Sequence, residues 1–243
     1  MEEESTTPTV KKREDPAASR HGNFSNYYDV RPVEDRLLQL PFDVWRPTQP
    51  GPKYVALDVG CNAGDLTFLL RRFLERFVEE REVFLLGVDL DMILIERAQE
   101  RNPRPDRMTF NCLDFVEDSS NRVLGEYLRQ TGKPRFDVVF CFSVTMWIHL
   151  NHGDKGLIKF LRKACSLTDM IVIEPQLWPG YEKACKRLKR SKGEDFPLFE
   201  TLRLRGDPAA HIHSILSQLC NFRRIKVTAE NTWNRKILIY ERR

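Results

Sequence analysis

The chain has 243 residues, 41% of them hydrophobic and 30% charged, with a formal net charge of +4. This composition is ordinary for a globular protein that buries a sizeable core, and no apolar run approaches the roughly 18 residues of a membrane-spanning helix. The six cysteines are scattered without a CxxC pair, which argues against a zinc cluster and favours reduced thiols in a cytosolic or nuclear setting, the cytoplasm first.

The N-terminal stretch is predicted to be a disordered tail. Residues 1–20 are polar, charged and interrupted by proline, and "MEEESTTPTVKKRED" lacks the apolar core of a signal peptide. Residues 21–50 are rich in aromatic side chains and end in prolines. We expect this N-terminal segment to cover the active site of the domain formed by residues 51–243.

Apolar, β-branched runs then alternate with helical patterns, as in βαβ units. Strands are predicted at 54–60, 83–89, 108–114, 136–142 and 169–174. Helices are predicted at 66–77, 92–99, 123–130, 157–165, 181–190 and 211–219, and the chain ends in two further strand-like runs, "RRIKVTAE" and "KILIYER". This order predicts an α/β fold with a doubly wound, Rossmann-like sheet that is mostly parallel and carries a C-terminal antiparallel β-hairpin.

The run "LDVGCNAGDLT" joins the first strand to the first helix, where a doubly wound fold binds its cofactor. Gly60 allows a tight turn, and Gly64, without a side chain, lets ligand and helix come close. Asn62 stands where a dinucleotide fingerprint has its middle glycine. This favours S-adenosylmethionine (SAM), whose amino-acid end can be held by carboxylate, amide and backbone groups.

Two acidic residues follow the next two strands. Asp89 ends the second strand, where a carboxylate can accept from both hydroxyls of a ribose. Asp114 ends the third strand and could accept from the adenine amino group, with Phe115 against the ring. Capping of the following helix fits Asp91 better than Asp89. Acidic or amide residues at the ends of three strands predict a class I SAM-dependent methyltransferase sheet.

The stretch after the fourth strand constrains the nucleophile. "FSVTMW" lacks the Asn/Asp-Pro-Pro-aromatic motif common in methyltransferases of base amines, and Cys141 lies in an apolar strand where thiolate formation is suppressed. A phosphate monoester needs no protein base, because its second pKa is about 6. A site for it needs donors, cations and positioning, which fits "WIHLNHGD".

A metal is the rival explanation for His149 and His152, whose spacing of three can place both on one face of a helix. No third ligand follows, and Asp154 beside Gly153 resembles a helix N-cap, so no metal is expected.

A basic run near the C-terminal third has two interpretations. "KACKRLKRSK" at 183–192 holds six basic residues and no acidic one. It is either a solvated helix face or a surface that follows a phosphate backbone. For the second interpretation, the candidate RNA-binding residues in this run are Lys183, Lys186, Arg187, Lys189 and Arg190.

Six motifs carry a resemblance that spans roughly residues 21–241: "GNFSNYY", "LDVGCNAGDL", "DVVFCFSVTMWIHLNHGDKGL", "IEPQLWPGY", "LRLRGD" and "NTWNRKILIY". With them the chain resembles the Bicoid-interacting family of RNA 5′-phosphate methyltransferases, and within it the RNA 5′-monophosphate methyltransferase subgroup. The resemblance implies methyl transfer from SAM to the 5′-terminal monophosphate of small RNA. Transfer RNA for histidine and microRNA precursors are the implied substrates.

The resemblance also implies roles for individual residues. SAM contacts carried over by position are Arg36, Asn62, Asp89, Asp114, Phe115 and Phe142, with Arg36 pairing with the methionine carboxylate. The phosphate is assigned to Tyr27, Tyr28, Arg31, His149 and Asn151, with Arg205 and Arg235 as further RNA contacts.

The triphosphate-capping relatives have a lysine where this chain has Met146, which favours a monophosphate end. The alternatives that stay open are methylation of the γ-phosphate of 5′-triphosphate RNA and an inactive module that binds SAM and RNA. A monomer is the default expectation.

Overall fold

The computed structural model describes residues 19–24, 27–78 and 80–243, so the predicted tail at 1–20 lies outside the described residues except for its last two positions. The strands are β1 (Lys53–Val59), β2 (Glu82–Asp89), β3 (Met108–Cys112), β4 (Phe136–Phe142), β5 (Thr168–Glu174), β6 (Phe222–Val227) and β7 (Leu238–Arg242). The helices are α1 (Tyr27–Val30), α2 (Val33–Gln39), α3 (Asp65–Phe77), α4 (Met92–Glu100), α5 (Ser120–Thr131), α6 (Thr145–Ser166), α7 (Trp178–Lys192) and α8 (Pro208–Leu219).

These strands form one sheet in the order β3-β2-β1-β4-β5-β7-β6. The first five strands along the chain pair in parallel, and β7 lies antiparallel between β5 and β6. The predicted α/β sheet with a C-terminal antiparallel hairpin is therefore confirmed. Because the strand order reverses between β1 and β4, a crevice opens at the carboxyl ends of these neighbours.

Helices cover both faces of the sheet, which is why β4 and β5 are buried along their whole length. Side chains of α3 and α4 pack on one face, and α5, α6 and α8 pack on the other. A third apolar cluster joins the start of α6 to α7. In the part of the chain that the structure describes, no helix is long and apolar enough to cross a membrane.

Helix α6 departs most from the prediction, because it begins at Thr145 and not near residue 157. The chain leaves helical geometry only at Gly153 (φ 67°, ψ −171°) and then resumes the helix. Asp154 does not have the predicted N-cap role. Its carboxylate accepts hydrogen bonds from the backbone N–H groups of Arg203 and Leu204, and thereby holds the loop before α8.

Candidate active site

A cleft of about 870 Å³, including its mouth, opens at the carboxyl ends of β1, β2, β3 and β4. Its walls are the loop after β1, the ends of β2 and β3, the start of α6 and part of the N-terminal segment. This is the crevice where doubly wound sheets bind nucleotide-type ligands. Of the residues predicted to bind SAM, it brings together Gly60, Asn62, Asp89, Asp114, Phe115 and Phe142.

The loop after β1 is shaped by two residues with positive φ. Gly60 has φ +78°, and a Cβ there would lie 2.3 Å from Val144 Cγ1, so the position tolerates only glycine. Asn62 has φ 53°. Its backbone N–H donates to Asp89 Oδ2 (3.0 Å), and its side-chain amide donates to the carbonyl of Phe24 (2.9 Å). Asn62 therefore ties the loop to both β2 and the N-terminal segment.

Gly64 has a different role from the predicted contact with the ligand, since it does not line the cleft. It sits at the N-cap of α3 with φ +83°. A Cβ there would approach Phe68 to 2.9 Å and both Ala98 and Phe110 to 3.2 Å. The missing side chain therefore allows α3 to pack closely against α4 and β3.

The acidic residues at the ends of β2 and β3 lie at the cleft wall. Asp89 is 9% exposed and accepts from the backbone N–H groups of Asn62 and Asp91. Burial raises the pKa of Asp89, and these N–H groups partly oppose the shift. Asp91 caps α4 by accepting from Ile93 and Leu94, as predicted for it. Asp114 is exposed at the rim.

Residues 19–24 and 27–28, here called the N-terminal strap, contact both sides of the cleft. On one side, the side chain of Asn23 donates to Asp91 at 2.6 Å. On the other, Asn151 Nδ2 donates to the carbonyl of Arg20 at 2.8 Å, and Arg20 reaches Glu194 beyond α7. Residues of the strap therefore form part of the cleft wall.

The rest of the predicted N-terminal segment does not line the cleft. Helix α2 and Trp45 belong to the same apolar cluster as α3. Trp45 is 2% exposed and packs against the rings of Phe73 and Phe140. Residues 33–50 therefore extend the core of the domain through Leu40 and Trp45, whereas Leu38 and Phe42 are exposed.

Behind the cleft wall lies a buried group that we call the Arg36 cluster: Tyr27, Arg36, Ser143, Glu174 and Arg235. Arg36 Nη2 donates to the Tyr27 hydroxyl (2.7 Å), to Ser143 Oγ (2.9 Å) and to Glu174 Oε2 (2.9 Å). Arg235 Nη1 also donates to Ser143 Oγ, at 2.6 Å. Tyr27 and Ser143 line the cleft, so the cluster reaches the ligand through them.

Two sequence predictions change at this cluster. Arg36 was expected to pair with the methionine carboxylate of SAM, but it does not line the cleft and its ion-pair partner is Glu174. Arg235 was expected to contact RNA, but it is only 7% exposed. Both guanidinium groups lie inside the protein because Glu174 and Ser143 satisfy them there. The Nε and Nη1 atoms of Arg36 are buried and have no hydrogen-bond partner within the described residues.

The cluster perturbs the ionisation of its members. For Tyr27, burial raises the pKa, but the combined positive charges of Arg36, Arg235 and Arg31 outweigh it and the pKa is lowered. For Glu174, burial also raises the pKa, and the charges of Arg36 and Arg235 bring it below its ordinary value. Glu174 is therefore an anion, and the Tyr27 hydroxyl is a stronger donor than an ordinary phenol.

Arg31 and Tyr28 flank the cluster. Arg31 Nη1 donates to the Tyr27 hydroxyl at 3.1 Å, and its guanidinium lies over the ring of Trp233. Tyr28 lines the cleft, packs edge-on against Tyr27, and its pKa is raised by burial. Of the residues predicted to hold the phosphate, Tyr27, Tyr28 and Arg31 therefore lie together.

His149 is not at the phosphate site. It is 1% exposed and does not line the cleft. Its ring nitrogens contact the Tyr181 hydroxyl (3.2 Å) and Asp154 Oδ1 (2.7 Å). Burial lowers the pKa of His149, although Asp154 opposes the shift. His149 lies on the face of α6 that packs against α7. It joins α6, α7 and the loop held by Asp154.

Asn151 and two histidines lie at the cleft instead. Asn151 lines it and ties the strap to α6. His152, which follows on α6, and His21 of the strap also line it. Burial lowers the pKa of His21, and Arg20 lowers it further. Both imidazoles offer hydrogen bonds at the mouth of the cleft.

The basic helix lies apart from the cleft. The predicted RNA-binding residues Lys183, Lys186, Arg187, Lys189 and Arg190 are all exposed on α7. Arg205 is also exposed, with its guanidinium over the rings of Trp178 and Phe199. These six residues do not line the cleft.

Met146 was expected to stand where the triphosphate-capping relatives have a lysine near the phosphate. Its side chain is 5% exposed and belongs to the apolar cluster between α6 and α7. Its apolar side chain is therefore explained by packing.

Sequence reasoning missed Ser143, Glu174 and His21, and it considered His152 only together with His149, in the run "WIHLNHGD". Ser143 and Glu174 each stand at the carboxyl end of an apolar strand, in "FCFS" and "IVIE". A polar residue at that end of a parallel strand is the signal that had identified Asp89 and Asp114. Ser143 also has φ 58°, unusual for a residue other than glycine. His21 carries no comparable signal.

The residues present fit SAM. The Asn62 loop, Asp89, Asp114 and Phe115 supply backbone, carboxylate and aromatic groups around one cleft. The unpartnered guanidinium nitrogens of Arg36 add positive charge behind its wall. Among the described residues, no group of three histidine, cysteine, aspartate or glutamate side chains is arranged to hold a metal ion.

Comparisons with known proteins identify the family. The description "Bicoid-interacting protein 3 (Bin3)" matches residues 136–242, and "Methyltransferase domain" matches residues 57–167. The chain is 36% identical to the "Pre-miRNA 5′-monophosphate methyltransferase" of Danio rerio, over the full length of both chains. It is 40% identical to the "RNA 5′-monophosphate methyltransferase" of Homo sapiens, over 93% of this chain and 81% of the relative.

Among solved structures, the fold is similar to the N-methyltransferase NodS from Bradyrhizobium japonicum WM9 in complex with S-adenosyl-L-homocysteine. The TM-score is 0.57 at 14% identity, over 92% of this chain and 94% of that one. This likeness supports the fold, and the relatives of higher identity support the family. The chain therefore belongs to the Bicoid-interacting protein 3 family of SAM-dependent RNA 5′-monophosphate methyltransferases.

Proposed function

We propose that this protein transfers a methyl group from SAM to the 5′-terminal monophosphate of a small RNA. The observation that carries this function is the excess of positive charge behind the cleft wall. The guanidinium groups of Arg31, Arg36 and Arg235 converge on Tyr27 and Ser143, and Glu174 is the carboxylate among them. The three guanidinium groups and the one carboxylate have a net formal charge of +2. This charge balances that of a phosphate monoester, which is largely a dianion at pH 7.

The chemistry asks little of the protein besides positioning. SAM in the cleft supplies a methyl group on a positively charged sulfur. An ionised phosphate oxygen has its own lone pair for attack, so no side chain has to remove a proton. The side chains hold that oxygen in line with the methyl group. Tyr27 and Ser143 at the cleft wall donate hydrogen bonds to the phosphate or orient it, and the guanidinium groups neutralise its negative charge. Cys141 is unsuited as a nucleophile, because its complete burial raises the pKa of its thiol.

The RNA is assigned from charge and from the relatives. Helix α7 exposes five basic residues predicted to bind RNA, and Arg205 lies beside it, which suits a phosphate backbone. The relatives' names specify RNA and pre-miRNA ends. We therefore propose microRNA precursors and transfer RNA for histidine, the substrates that the family resemblance implies, as the first RNAs to test.

The direct test uses labelled SAM with one RNA prepared in three forms, bearing a 5′-hydroxyl, a 5′-monophosphate or a 5′-triphosphate. We expect methylation of the monophosphate form, and the methylated end should resist a phosphatase that removes an unmethylated 5′-monophosphate. Equal labelling of all three forms would contradict a terminal-phosphate reaction. Preference for the triphosphate would establish the γ-phosphate alternative, and RNA retention without turnover would establish an inactive binding module.

We also propose a cytosolic setting and a monomer. All six cysteines are free thiols, which supports a reducing compartment. Imaging of the tagged full chain tests the compartment, and sedimentation of the purified chain tests the monomer. Exclusive nuclear signal, or a dimer at micromolar concentration, would contradict these two proposals.

A further inference from the structure

A second basic surface, separate from α7, lies in a groove between α5 and the C-terminal half of α6. Its walls carry Lys155, Lys159, Arg162 and Lys163 from α6, with Asp118 and Asn121 from the start of α5. We call it the α5/α6 groove. The sequence "KGLIKFLRK" at 155–163 supplies four basic residues and no acidic one, while Leu157, Phe160 and Leu161 of the same stretch face the core.

This charge pattern differs from that of the other surface helices. Exposed basic residues of α3, α4 and α5 alternate with acidic ones, as in "RRFLER", "ERAQE" and "GEYLR". In the groove, Lys159 pairs with Asp118 at 3.0 Å. Among the described residues, Lys155 and Arg162 form no ion pair. The groove therefore carries four basic residues and one acidic residue, and such an excess of cations is what a phosphate backbone requires, since its binding releases counterions.

The spacing along α6 suits a nucleic-acid strand. Lys155, Lys159 and Arg162 recur at intervals of four and three residues, so they lie on one face of the helix. At 1.5 Å per residue they extend over about 10 Å, a length over which one strand of a duplex carries about three phosphates.

The groove adjoins the active-site cleft. The Nζ of Lys163 lies 5.3 Å from the ring centroid of Phe115, and Phe115 also lines the cleft. Helix α6 also continues from one site to the other, because His152 lines the cleft and Lys155 follows three residues later. Lys163 itself is fixed to the start of α5, donating to the Glu117 carbonyl and Ser120 Oγ.

We propose that the α5/α6 groove binds backbone phosphates of the RNA substrate, through Lys155, Lys159 and Arg162, without reading its sequence. The inference rests on the proposed function, because it concerns the same RNA. It adds a second contact surface besides α7. An RNA whose 5′ end enters the cleft then has its backbone held at two places, and a 5′-phosphorylated dinucleotide, with one internucleotide phosphate, cannot engage the row of three cations.

The test compares a triple variant, K155Q/K159Q/R162Q, with the unmodified chain in direct binding to a 5′-monophosphorylated RNA hairpin. We expect a loss of affinity of about 10- to 100-fold near 0.1 M salt, and a salt slope lowered by about 2 to 3, because each lost phosphate contact removes about 0.7 to 0.9. The matched control is R72Q/R76Q/R97Q, which removes three exposed cations from α3 and α4 on the opposite face of the sheet. Its affinity should change less than threefold.

Two outcomes overturn the inference. One is an RNA affinity and salt slope of the triple variant equal to those of the unmodified chain. The other is an equal loss in the control variant, which would show a general effect of net charge. Thermal unfolding checks that both variants fold, and the single variants K155Q and R162Q replace the triple variant if it does not.

A kinetic arm keeps this inference distinct from the proposed function. Methylation of the dinucleotide should be unchanged in the triple variant, while KM for the hairpin rises and kcat holds. If no 5′-monophosphate RNA is methylated even by the unmodified chain, the proposed function fails, and the binding experiment still decides the groove.

Discussion

The guanidinium of Arg36 and the carboxylate of Glu174 form an ion pair of 2.9 Å in which both side chains are completely buried. Helix α2 supplies one partner and the end of β5 the other, so the pair fixes the N-terminal segment to the sheet beside the cleft. The same pair orients Tyr27 and Ser143 at the cleft wall. Stability and the proposed positioning of the phosphate therefore depend on the same contact.

Replacing Glu174 with glutamine should destabilise the protein. The change keeps the shape but leaves Arg36 and Arg235 without a counter-charge in a buried place, which costs about 3 to 5 kcal/mol of unfolding free energy. Urea denaturation measures it. The matched control is E230Q, which breaks the exposed pair with Lys236 and should cost about 0 to 1 kcal/mol. Equal stability of both variants would show that the buried pair does not hold the cluster.

Ser143 allows the hydroxyl and the backbone to be separated. Both S143A and S143G remove the hydroxyl that contacts Tyr27, Arg36 and Arg235, and we expect each to lower kcat/KM by about 10- to 100-fold. Because φ is 58° at this position, S143G should be more stable than S143A by about 1 kcal/mol. Methyl-transfer kinetics and urea denaturation provide the two readouts. Full activity of S143G would show that Ser143 serves only the backbone conformation and that its hydroxyl has no part in methyl transfer.

The close approach of Gly22 to Trp147 allows a test of whether the strap contributes to SAM binding. A Cβ at Gly22 would lie 2.1 Å from the indole Nε1 of Trp147, and φ there is +76°. We expect G22A to displace the strap and weaken SAM binding by about tenfold, or about 1.4 kcal/mol. The control is G125A on α5, where an added methyl group meets nothing within 4 Å, and SAM affinity should stay unchanged. Calorimetric titration with SAM measures both, and identical affinities would show that the strap does not contribute.

His149 and His152 should separate stability from substrate binding. H149F removes two buried hydrogen bonds and leaves Asp154 and Tyr181 without their partner, so we expect a loss of about 2 to 4 kcal/mol. H152Q, at the exposed cleft mouth, should change stability by less than about 0.5 kcal/mol and raise KM for RNA. The reverse pattern, with H149F stable and deficient only in turnover, would restore His149 to the phosphate site.

The pH dependence of stability checks the same residue. The pKa of His149 is lowered in the folded state, first by burial and also by His211, while Asp154 opposes the shift. Its neutral form is therefore the one that the fold stabilises. Since the unfolded state binds the proton more readily, stability should be full above the unfolded pKa of about 6.5 and fall as the pH drops below it. The part of this slope due to His149 should be absent from H149F.

The rate of methyl transfer should follow the ionisation of the RNA phosphate. Because the free phosphate has a second pKa of about 6, kcat/KM should rise to a plateau with a midpoint near that value. The midpoint of kcat should lie lower, since Arg31, Arg36 and Arg235 stabilise the dianion in the complex. R31Q should move the kcat midpoint upward. A midpoint that stays constant in R31Q would remove Arg31 from the phosphate site.

Much of the fold could be predicted because its signals are local. Alternation of apolar strands with amphipathic helices follows from burial on both faces of a parallel sheet, and it gave the strand positions within a few residues. Gly60, Asn62, Asp89 and Asp114 could be assigned to the cleft because strand ends converge at one edge. The first part of α6, from Thr145, was missed, and Gly153 interrupts the helical geometry between it and the part that was predicted.

The sequence by itself determined the sheet, the place of the cleft and the residue types on its strand ends, since these depend on periodicity and on where apolar runs stop. Only the tertiary structure decided that Arg36 and Arg235 are buried beside Glu174, that His149 faces α7, and that Gly64 serves packing. These facts depend on which side chains from distant segments meet, and a buried charge is stable only where such a partner is supplied. Residues 36, 143, 174 and 235 are far apart along the chain, and no local pattern records that they meet.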